Sequence, residues 1–393
     1  MDLSAVRILD LTQLLPGPYA TQLLRDMGAE VIKVEHPDGG DPGRQFVDRP
    51  EADGTGYESS PLFDVVNRGK RGATLDLKRD RGRAALLDVA EDADVVIEQF
   101  RPGVVDRLGV GYDDVRAVNG DVVYCSVTGY GQTGPYSDRA GHDLNYAGAA
   151  GLVDTTRRDS GGRPVLPGFP VADMAGGLFA ALSVVGALLS RELGDCGGEY
   201  LDVGIADAVL SLSQIVAGPA AAGVDQPPVG TVLTGKYPCY DVYECADGRY
   251  VTVAALEERF WEALCVAIDR PDLAGAHMAD RETTREHVRA ELADIFAAHP
   301  RETWLDDLAD AEVTVGPVKT VAEAFEDPQF RARPVVQEVD GLLRRAAFPV
   351  GTSAGVERTE APAPALGEHT DEVLRGAGYT GERIADLRAA GVI

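Results

Sequence analysis

The sequence predicts an α/β fold built on a parallel, Rossmann-like sheet. Through the first half of the chain, short apolar runs of strand length alternate with longer stretches that carry apolar residues at helical spacing. Hydrophobic residues make up 45% of the 393 residues, which is ordinary for a globular protein and sufficient for a sizeable core. No GxGxxG motif follows the first strand-like run, so a dinucleotide cofactor is not indicated.

Strand and helix signals follow one another in order from the N-terminus. The run RILDL at 7–11 predicts the first strand, and the stretch 16–29 predicts a helix that Pro and Gly introduce. The elements predicted after it are strands at 30–35 and 73–77, a helix at about 80–92, and strands at 94–100 and 122–130.

The middle of the chain predicts a buried helix followed by a second domain. Residues 171–192 are apolar nearly all round, and the Asp, Met and Gly at their start favour a buried helix over a membrane segment. The stretch 199–216 predicts a strand that runs into a helix, and the Pro/Gly-rich stretch 217–236 predicts a linker. The elements predicted beyond the linker are a hairpin at 240–256, helices at about 258–268, 282–298 and 301–311, and a strand from about 335.

The charge balance limits the classes of partner. The formal net charge is −27, and 5 lysines stand against 32 arginines. A dense acidic surface with few lysines is typical of a halophilic protein from a high-salt cytoplasm, and an acidic protein from ordinary salt is the alternative. Either origin disfavours binding to nucleic acid or to an anionic membrane.

The N-terminus and the cysteines predict a cytoplasmic location. The first eleven residues begin with an acidic side chain and run straight into a strand pattern, unlike a signal peptide. The five cysteines are odd in number and form no CxxC pair, which is typical of free thiols in a reducing compartment.

One segment is basic against this acidic background. Residues 67–83 hold seven basic side chains and only two acidic ones, and Arg101 and Arg107 follow them. A solvated helix face is the alternative interpretation. In so acidic a chain we favour an anion site, with a phosphorylated small molecule as its ligand.

Three titratable residues are candidates for chemistry. His142 lies in a glycine-rich region between a strand and a helix, and its pKa range suits proton transfer, although a structural role is equally compatible with the local sequence. Asp173 opens the long apolar helix as either a cap or a general acid. Glu257 follows the hairpin, where a cap or a surface position is the alternative to a site role. No HxH, HxxxH or HExxH spacing is present, so no metal site is expected.

Eight segments together resemble the family III CoA-transferase superfamily (CaiB/BaiF-like), and within it the α-methylacyl-CoA racemases. The similarity runs over nearly the whole chain. The segments are RILDLTQLLPGPYATQLLRDMGAEVIKVEHP, NRGKRGATLDLK, FRPGVVDRLGVGY, SVTGYGQTGPY, AGHDLNYAGAAG, VADMAGG, YDVYECADGRYVTVAALEERF and LGEHTDEVL.

The resemblance implies a CoA thioester as substrate, with no separate cofactor because CoA is part of that substrate. It also implies an interlocked homodimer whose active site lies between the large domain of one subunit and the small domain of the other. The implied domains are a large Rossmann-like domain from 1–216 and 331–393, a linker at 217–236 and a small α+β domain at 237–330. The implied CoA contacts are His36, Leu75, Asp76, Leu77, Lys78, Arg101, Arg107, Gly141, Asn145 and Tyr146.

The family has two catalytic branches. In racemases, the residues matching His142 and Asp173 are opposed acid/base groups, and the residue matching Glu257 supports the histidine. We expect the backbone N–H of Asp143, rather than its carboxylate, to bind the enolate oxygen. In transferases, the residue matching Asp173 is instead a nucleophile.

The histidine motif, and the lack of a GGGG run in 217–236, favour the racemase branch. The segment 39–66 is longer than its counterpart in animal racemases and closer in length to that of transferases, which keeps the transferase branch as the alternative. A CoA-binding protein without catalysis would be expected to lack His142 or Asp173, and both are present.

Overall fold

The computed structural model describes residues 2–46, 60–159, 161–194, 197–224, 229–333, 335–339, 343–353 and 361–393. The chain divides into two compact units. The first comprises Met1–Leu152, Pro167–Gln214 and Pro328–Ile393, and therefore contains both chain ends. The second comprises Val153–Leu166 and Ile215–Asp327. Residues 153–166, which the sequence analysis assigned to the large domain, belong to this second unit.

The first unit is built on a six-stranded parallel sheet with the strand order β3-β2-β1-β4-β5-β6. This confirms the predicted α/β fold with a Rossmann-like sheet. The strands are β1 (Arg7–Asp10), β2 (Glu30–Glu35), β3 (Arg71–Thr74), β4 (Val95–Glu98), β5 (Val123–Thr128) and β6 (Tyr200–Gly204).

In the described part of the chain, ten helices precede the second unit's sheet. They are α1 (Pro16–Asp26), α2 (Pro61–Asn67), α3 (Asp80–Ala90), α4 (Val104–Leu108), α5 (Tyr112–Val118), α6 (Asp143–Ala149), α7 (Leu152–Thr155), α8 (Val171–Glu192), α9 (Ile205–Leu212) and α10 (Gln214–Ala221). A short 3-10 helix at Pro42–Gln45 lies between β2 and α2.

The third strand differs from its predicted position at 73–77. It begins at Arg71 and ends at Thr74, and the backbone N–H of Leu75 makes one last hydrogen bond to Glu35 O at 2.9 Å. The N–H of Asp76 then donates to Val392 O at 2.8 Å. The chain leaves the sheet here because the C-terminal segment provides the next backbone acceptor.

The long helix α8 has the predicted bounds but is not buried all round. One side packs closely on α1 and α9, because a Cβ at Gly177 would lie 2.5 Å from Pro16 O and one at Gly176 would lie 2.7 Å from Ile205. The opposite side exposes Leu178, Leu182 and other leucines. Among the described helices α8 is long and apolar enough to cross a membrane, and half of its apolar window is buried within the fold, as in a core helix.

The second unit contains the predicted hairpin. Strands β7 (Tyr240–Glu244) and β8 (Tyr250–Ala254) are antiparallel, and β9 (Val315–Pro317) extends them to a three-stranded sheet. Its core surrounds the buried Trp261. The other elements of this unit are α11 (Glu258–Ala267), a 3-10 helix (Pro271–Ala276), α12 (Glu282–Phe296), α13 (Arg301–Asp307) and α14 (Val321–Glu326).

The predicted linker at 217–236 is partly helical. Helix α10 extends to Ala221 and includes Pro219, and residues 225–228 lie outside the described part of the chain. The four described cysteines, at 125, 239, 245 and 265, are free and buried. Cys196 lies outside the described residues.

The C-terminal segment returns to the first unit. Its elements are α15 (Pro328–Ala332), the antiparallel strands β10 (Val336–Val339) and β11 (Leu343–Ala346), α16 (Thr370–Gly376) and α17 (Gly381–Ala389). The hydroxyl of Thr370 accepts from Thr74 N at 3.0 Å, and Arg345 forms a buried ion pair with Asp26 of α1. These contacts attach the chain end to the sheet edge and to α1.

Candidate active site

A cavity of about 610 Å³ opens at the carboxyl edge of the parallel sheet. It lies where β1 neighbours β4 and the strand order reverses, which is the usual ligand position in open α/β sheets. Its lining residues are Gln13, Leu14, Pro16, Gln99, Phe100, Arg101, Pro102, Val104, Val127, Thr128, Gly129, Ser137, Arg139, Ala140, Gly141, His142, Asn145, Tyr146, Asp173 and Ile205.

Two loops form the wall that follows β1 and β4. The side chain of Gln99 accepts from Gly17 N at 3.0 Å and donates to Gln13 O at 3.1 Å, which ties the loops together. Leu14 has a left-handed backbone conformation with a φ of 63°, and its N–H donates to Asp41 Oδ1 at 2.9 Å. A strained non-glycine residue held in this way is typical of a preorganised site.

A buried ion network contacts the residues from which this wall is built. Lys70 Nζ lies 3.0 Å from Asp10 Oδ2, and Lys33 Nζ lies 2.9 Å from Asp41 Oδ2 and donates to Thr12 O at 2.8 Å. Burial alone would raise the pKa of Asp10, but the charges of Lys70 and Lys33 outweigh it and hold that pKa well below its usual range. The network fixes the end of β1 from which the first loop departs.

His142 precedes helix α6 and lines the cavity. Its backbone N–H donates to Asn145 Oδ1 at 3.0 Å, and its carbonyl accepts from Asn145 N at 2.8 Å. The side chain is exposed, and no described residue forms a hydrogen bond with its imidazole ring. The backbone is therefore fixed while the ring remains available to a ligand.

Asp173 lies in the first turn of α8 and lines the same cavity. The carboxylate of Asp143 caps this helix, because its Oδ1 accepts from Ala172 N at 2.7 Å and from Asp173 N at 3.0 Å. Burial, together with the negative charge of Asp143, raises the pKa of Asp173 to about 7. A half-buried carboxyl that changes protonation state near neutrality is suited to acid/base chemistry.

Asp143 corrects one expectation. The expected functional group of this residue is its N–H and not its carboxylate, yet the carboxylate links α6 to α8. Its N–H makes no hydrogen bond to a described residue, so the enolate-binding role stays a prediction.

Tyr146 lines the cavity together with His142 and Asp173. Its hydroxyl donates to Gly141 O, and its ring meets that of Tyr130 edge-on at 5.1 Å between centroids. Burial, followed by the charge of Asp173, raises the pKa of Tyr146 to about 12. Cβ atoms at Gly129 and Gly141 would lie 2.3 and 2.7 Å from the ring, so both positions need glycine. Tyr146, Gly141 and Asn145 all line the cavity, as do the two candidate acid/base residues.

The structure places only some of the predicted CoA contacts at the cavity. Arg101 is exposed at the cavity, whereas the residues lining the cavity in the described chain do not include Arg107, His36 or the segment 75–78. His36 Nε2 lies 3.6 Å from Asp76 Oδ1, which places these two together after β2 and β3 at the same sheet edge.

The basic segment 67–83 does not form one anion-binding surface. Arg68 and Lys70 are buried, and Lys70 binds Asp10. The other residues of the segment that pair with acidic side chains of this chain are Arg71 with Glu30 and Glu372, Arg79 with Asp76, and Arg83 with Asp80. Most of this positive charge therefore neutralises the protein's own carboxylates, while Lys78 and Arg81 are exposed.

Glu257 belongs to the second unit, where it is exposed and precedes α11. Its carbonyl accepts from Phe260 N at 3.0 Å. Its predicted support of the histidine stays a prediction. In the described residues, no group of three or more His, Cys, Asp or Glu side chains is placed to hold a metal ion.

The structure adds cavity residues that sequence reasoning missed. Gln13 and Gln99 belong to the loops after β1 and β4, and their position after strands was the available signal. Arg139 lines the cavity three residues before His142 and stacks on Tyr136 at 3.6 Å. Thr128 is the last residue of β5 and gave no sequence signal beyond that position.

Known proteins resemble this chain over almost its whole length. The family model of CoA-transferase family III matches residues 3–370. A Haloarcula marismortui protein named succinyl-CoA:mesaconate CoA-transferase is 37% identical over 96% of this chain and 96% of its own. The human α-methylacyl-CoA racemase is 30% identical over 100% of this chain and 98% of its own.

A solved structure has the same fold. The crystal structure of a CaiB/BaiF family protein from Brucella suis superposes with a TM-score of 0.84 at 30% sequence identity. The match covers 95% of this chain and 99% of the Brucella chain.

Proposed function

The chain belongs to CoA-transferase family III, and we propose that within this family it is a racemase of 2-methylacyl-CoA thioesters. The observation that carries this proposal is that His142 and Asp173 line one cavity. A racemase needs a proton acceptor on one face of the substrate carbon and a proton donor on the other. Two acid/base side chains at one cavity, one preceding α6 and one in the first turn of α8, meet that requirement.

The proposed reaction begins at the carbon next to the thioester carbonyl. Neutral His142 removes its proton, and the electron pair moves to the carbonyl oxygen to give an enolate. Protonated Asp173 then delivers a proton to the opposite face, and the two roles exchange in the reverse direction. A carboxyl with a pKa of about 7 is available in both protonation states near neutral pH. Each positioned group contributes a factor of roughly 10² to 10⁴.

The substrate is proposed to carry CoA along the carboxyl edge of the sheet. Arg101 provides a cation at the cavity itself. Farther along the same edge, His36 lies near Asp76, whose Oδ1 accepts from the backbone N–H of Lys78 at 3.0 Å. CoA carries a diphosphate and a 3′-phosphate, which arginine and lysine side chains bind. The 2-methyl group and the rest of the acyl chain would face the apolar lining residues, including Val127 and Ile205.

We also propose a cytoplasmic homodimer. The exposed leucines of α8 and α9 include Leu178, Leu182, Leu189 and Leu210, which are 49%, 62%, 58% and 54% exposed. An apolar surface of this kind is typical of a subunit interface. A second copy of the chain is the partner that the family resemblance implies.

A CoA-transferase is the second candidate. It is favoured by the name of the Haloarcula relative and by a human succinyl-CoA:glutarate CoA-transferase that is 32% identical over 100% of this chain and 90% of its own. In that reaction the Asp173 carboxylate attacks the thioester carbonyl and expels CoA thiolate, leaving an acyl anhydride. The thiolate then attacks the Asp173 carbonyl of the anhydride, which releases the carboxylic acid and leaves CoA on the enzyme.

One assay separates the two functions. A single enantiomer of a 2-methylacyl-CoA is incubated with the protein in D₂O at high salt, in parallel with an acyl-CoA and free succinate. The racemase proposal predicts deuterium at the 2-position and loss of optical purity in the first mixture. Transfer of CoA to succinate without deuterium incorporation would support the transferase, as would hydroxylamine trapping on Asp173. Acyl-CoA binding with neither reaction would support a non-catalytic role.

A further inference from the structure

Thr128 closes the cavity wall at the end of β5. It pairs in register with Gly204 of β6, and only 6% of its surface is exposed. Thr128 is one of the residues that line the cavity together with His142 and Asp173. Sequence patterns and the family resemblance gave this residue no role.

The hydroxyl of Thr128 is buried and has no hydrogen-bond partner among the residues that the structure describes. Other buried threonines in the same unit are paired: Thr12 and Thr21 donate to Asp10, and Thr74 pairs with Thr370. A buried hydroxyl without a partner is destabilising, and native proteins usually avoid it. At a cavity, a bound ligand is the natural acceptor.

Thr128 adjoins the part of the cavity wall that Tyr146 forms. Its neighbour Gly129 lies against Tyr146, since a Cβ added to Gly129 would be 2.7 Å from the Tyr146 hydroxyl oxygen. Tyr146 in turn lies within the electrostatic influence of Asp173. Thr128 and Tyr146 therefore line neighbouring parts of the same cavity wall.

We propose that the Thr128 hydroxyl donates a hydrogen bond to the carbonyl oxygen of the bound thioester. This rests on the proposed function for the identity of the ligand, an acyl-CoA. In the racemase that oxygen becomes the enolate oxygen, and in a transferase it becomes the oxyanion of the tetrahedral intermediate. In both reactions negative charge grows on the acceptor, so the bond strengthens towards the transition state.

Kinetics of three variants test this proposal. Thr128→Val replaces the hydroxyl with a methyl group of similar size, Thr128→Ser keeps the hydroxyl, and Thr314→Val is the matched control. The Thr314 hydroxyl is also buried without a partner in the described chain, but that residue does not line the cavity.

We expect Thr128→Val to lower kcat on the order of 10²-fold with KM nearly unchanged, because the lost bond acts mainly in the transition state. Thr128→Ser should stay within a few-fold of wild type, and Thr314→Val should match wild type. Without ligand, both valine variants should unfold at higher temperature than wild type, because each removes an unpaired hydroxyl. An unchanged kcat in Thr128→Val, or a loss shared equally by Thr314→Val, would overturn the proposal.

A binding measurement keeps the proposal separate from the identity of the reaction. The infrared carbonyl stretch of bound [1-¹³C]acetyl-CoA is recorded in the Asp173→Asn protein, which cannot form an anhydride. We expect a lower frequency than for free acetyl-CoA, and a partial return towards the free value when Thr128→Val is added. If Thr128→Val leaves the carbonyl frequency unchanged, the proposed hydrogen bond from Thr128 is wrong even if the protein is a racemase. If Thr128→Val shifts the frequency towards the free value, the proposed hydrogen bond is supported even if the racemase assay shows no activity.

Discussion

The carboxylate of Asp143 accepts a hydrogen bond from the backbone N–H of Asp173, with 3.0 Å between Oδ1 and N. Asp143 directly follows His142 in the chain, so this bond couples the positions of the two proposed acid/base residues. It also brings a negative charge to Asp173 and contributes to the raised pKa of that side chain. Asp143 thus links the positions of the pair and, after burial, contributes to the raised pKa of Asp173.

Replacing Asp143 should separate these two effects. Asp143→Asn keeps an oxygen acceptor for the helix N-terminus but removes the charge, so the pKa of Asp173 should fall. The limb of the pH–rate profile that reports on protonated Asp173 should then move to lower pH. Asp143→Ala also removes the cap and should cost about 1 kcal/mol of unfolding free energy. Identical pH–rate profiles for wild type and Asp143→Asn would show that the charge of Asp143 does not influence the pKa of Asp173.

Asp173 should make stability depend on pH. Its pKa is about 7 in the folded protein and about 4 in an unfolded chain. Because the folded protein holds the Asp173 proton more tightly than the unfolded chain does, the protonated carboxyl contributes fully to the unfolding free energy below the unfolded pKa. This contribution is lost as the pH rises through the folded pKa of about 7. Asp173→Asn should therefore gain unfolding free energy relative to wild type at pH 8, on the order of 2 kcal/mol. Urea titrations should show this gain shrinking from pH 8 to pH 5, and a pH-independent difference would contradict the raised pKa.

Gly129 should not tolerate a side chain. A Cβ there would lie 2.3 Å from the Tyr146 ring, so Gly129→Ala should displace the ring, cost about 1–3 kcal/mol and reduce activity. Gly148→Ala is the matched control, because a Cβ at that exposed position of α6 meets no atom within 4 Å. The control should gain roughly 0.5–1 kcal/mol from helix propensity. Equal thermal stability of the two variants would refute the packing argument.

The buried ion network should be essential for folding stability. Lys70 Nζ contacts Asp10, Pro18 O, Thr21 and Asn67. Lys70→Met would leave the Asp10 carboxylate buried with less compensation and should lower the unfolding free energy by about 3–5 kcal/mol. Lys78→Met, at an exposed position, should change it by less than about 0.5 kcal/mol. Denaturant titration measures the unfolding free energies of both variants. Equal values for Lys70→Met and Lys78→Met would show that the ion pair of Lys70 is not needed for stability.

Much of the fold followed from sequence periodicity, because strand and helix patterns are local. The parallel sheet and the hairpin at 240–256 were predicted in this way, whereas the end of β3 was misplaced because Asp76 pairs with the distant Val392. The exposed side of α8 was missed for a different reason: an apolar composition does not distinguish a buried face from an exposed one.

The site was predictable only in its residue types. His142 and Asp173 were singled out, but their common cavity depends on the packing of α6 against α8. The cap from Asp143 to Ala172 spans 29 residues, and no local pattern indicates such a bond. Likewise, the burial of Lys70 against Asp10, 60 residues away, explains why a basic run in the sequence did not become one binding surface.

The most direct test of the proposed two-base mechanism follows exchange of the 2-proton in the His142→Ala and Asp173→Asn variants. Each pure enantiomer of a 2-methylacyl-CoA is incubated in D₂O, and deuterium content and optical purity are measured together. Both variants should lose interconversion by a factor of roughly 10² to 10⁴. Each should still exchange deuterium, without inversion, into the one enantiomer that faces its remaining base, and the two variants should favour opposite enantiomers. Full racemisation by either variant, or exchange by both on the same enantiomer, would contradict the assignment of His142 and Asp173 as opposed bases.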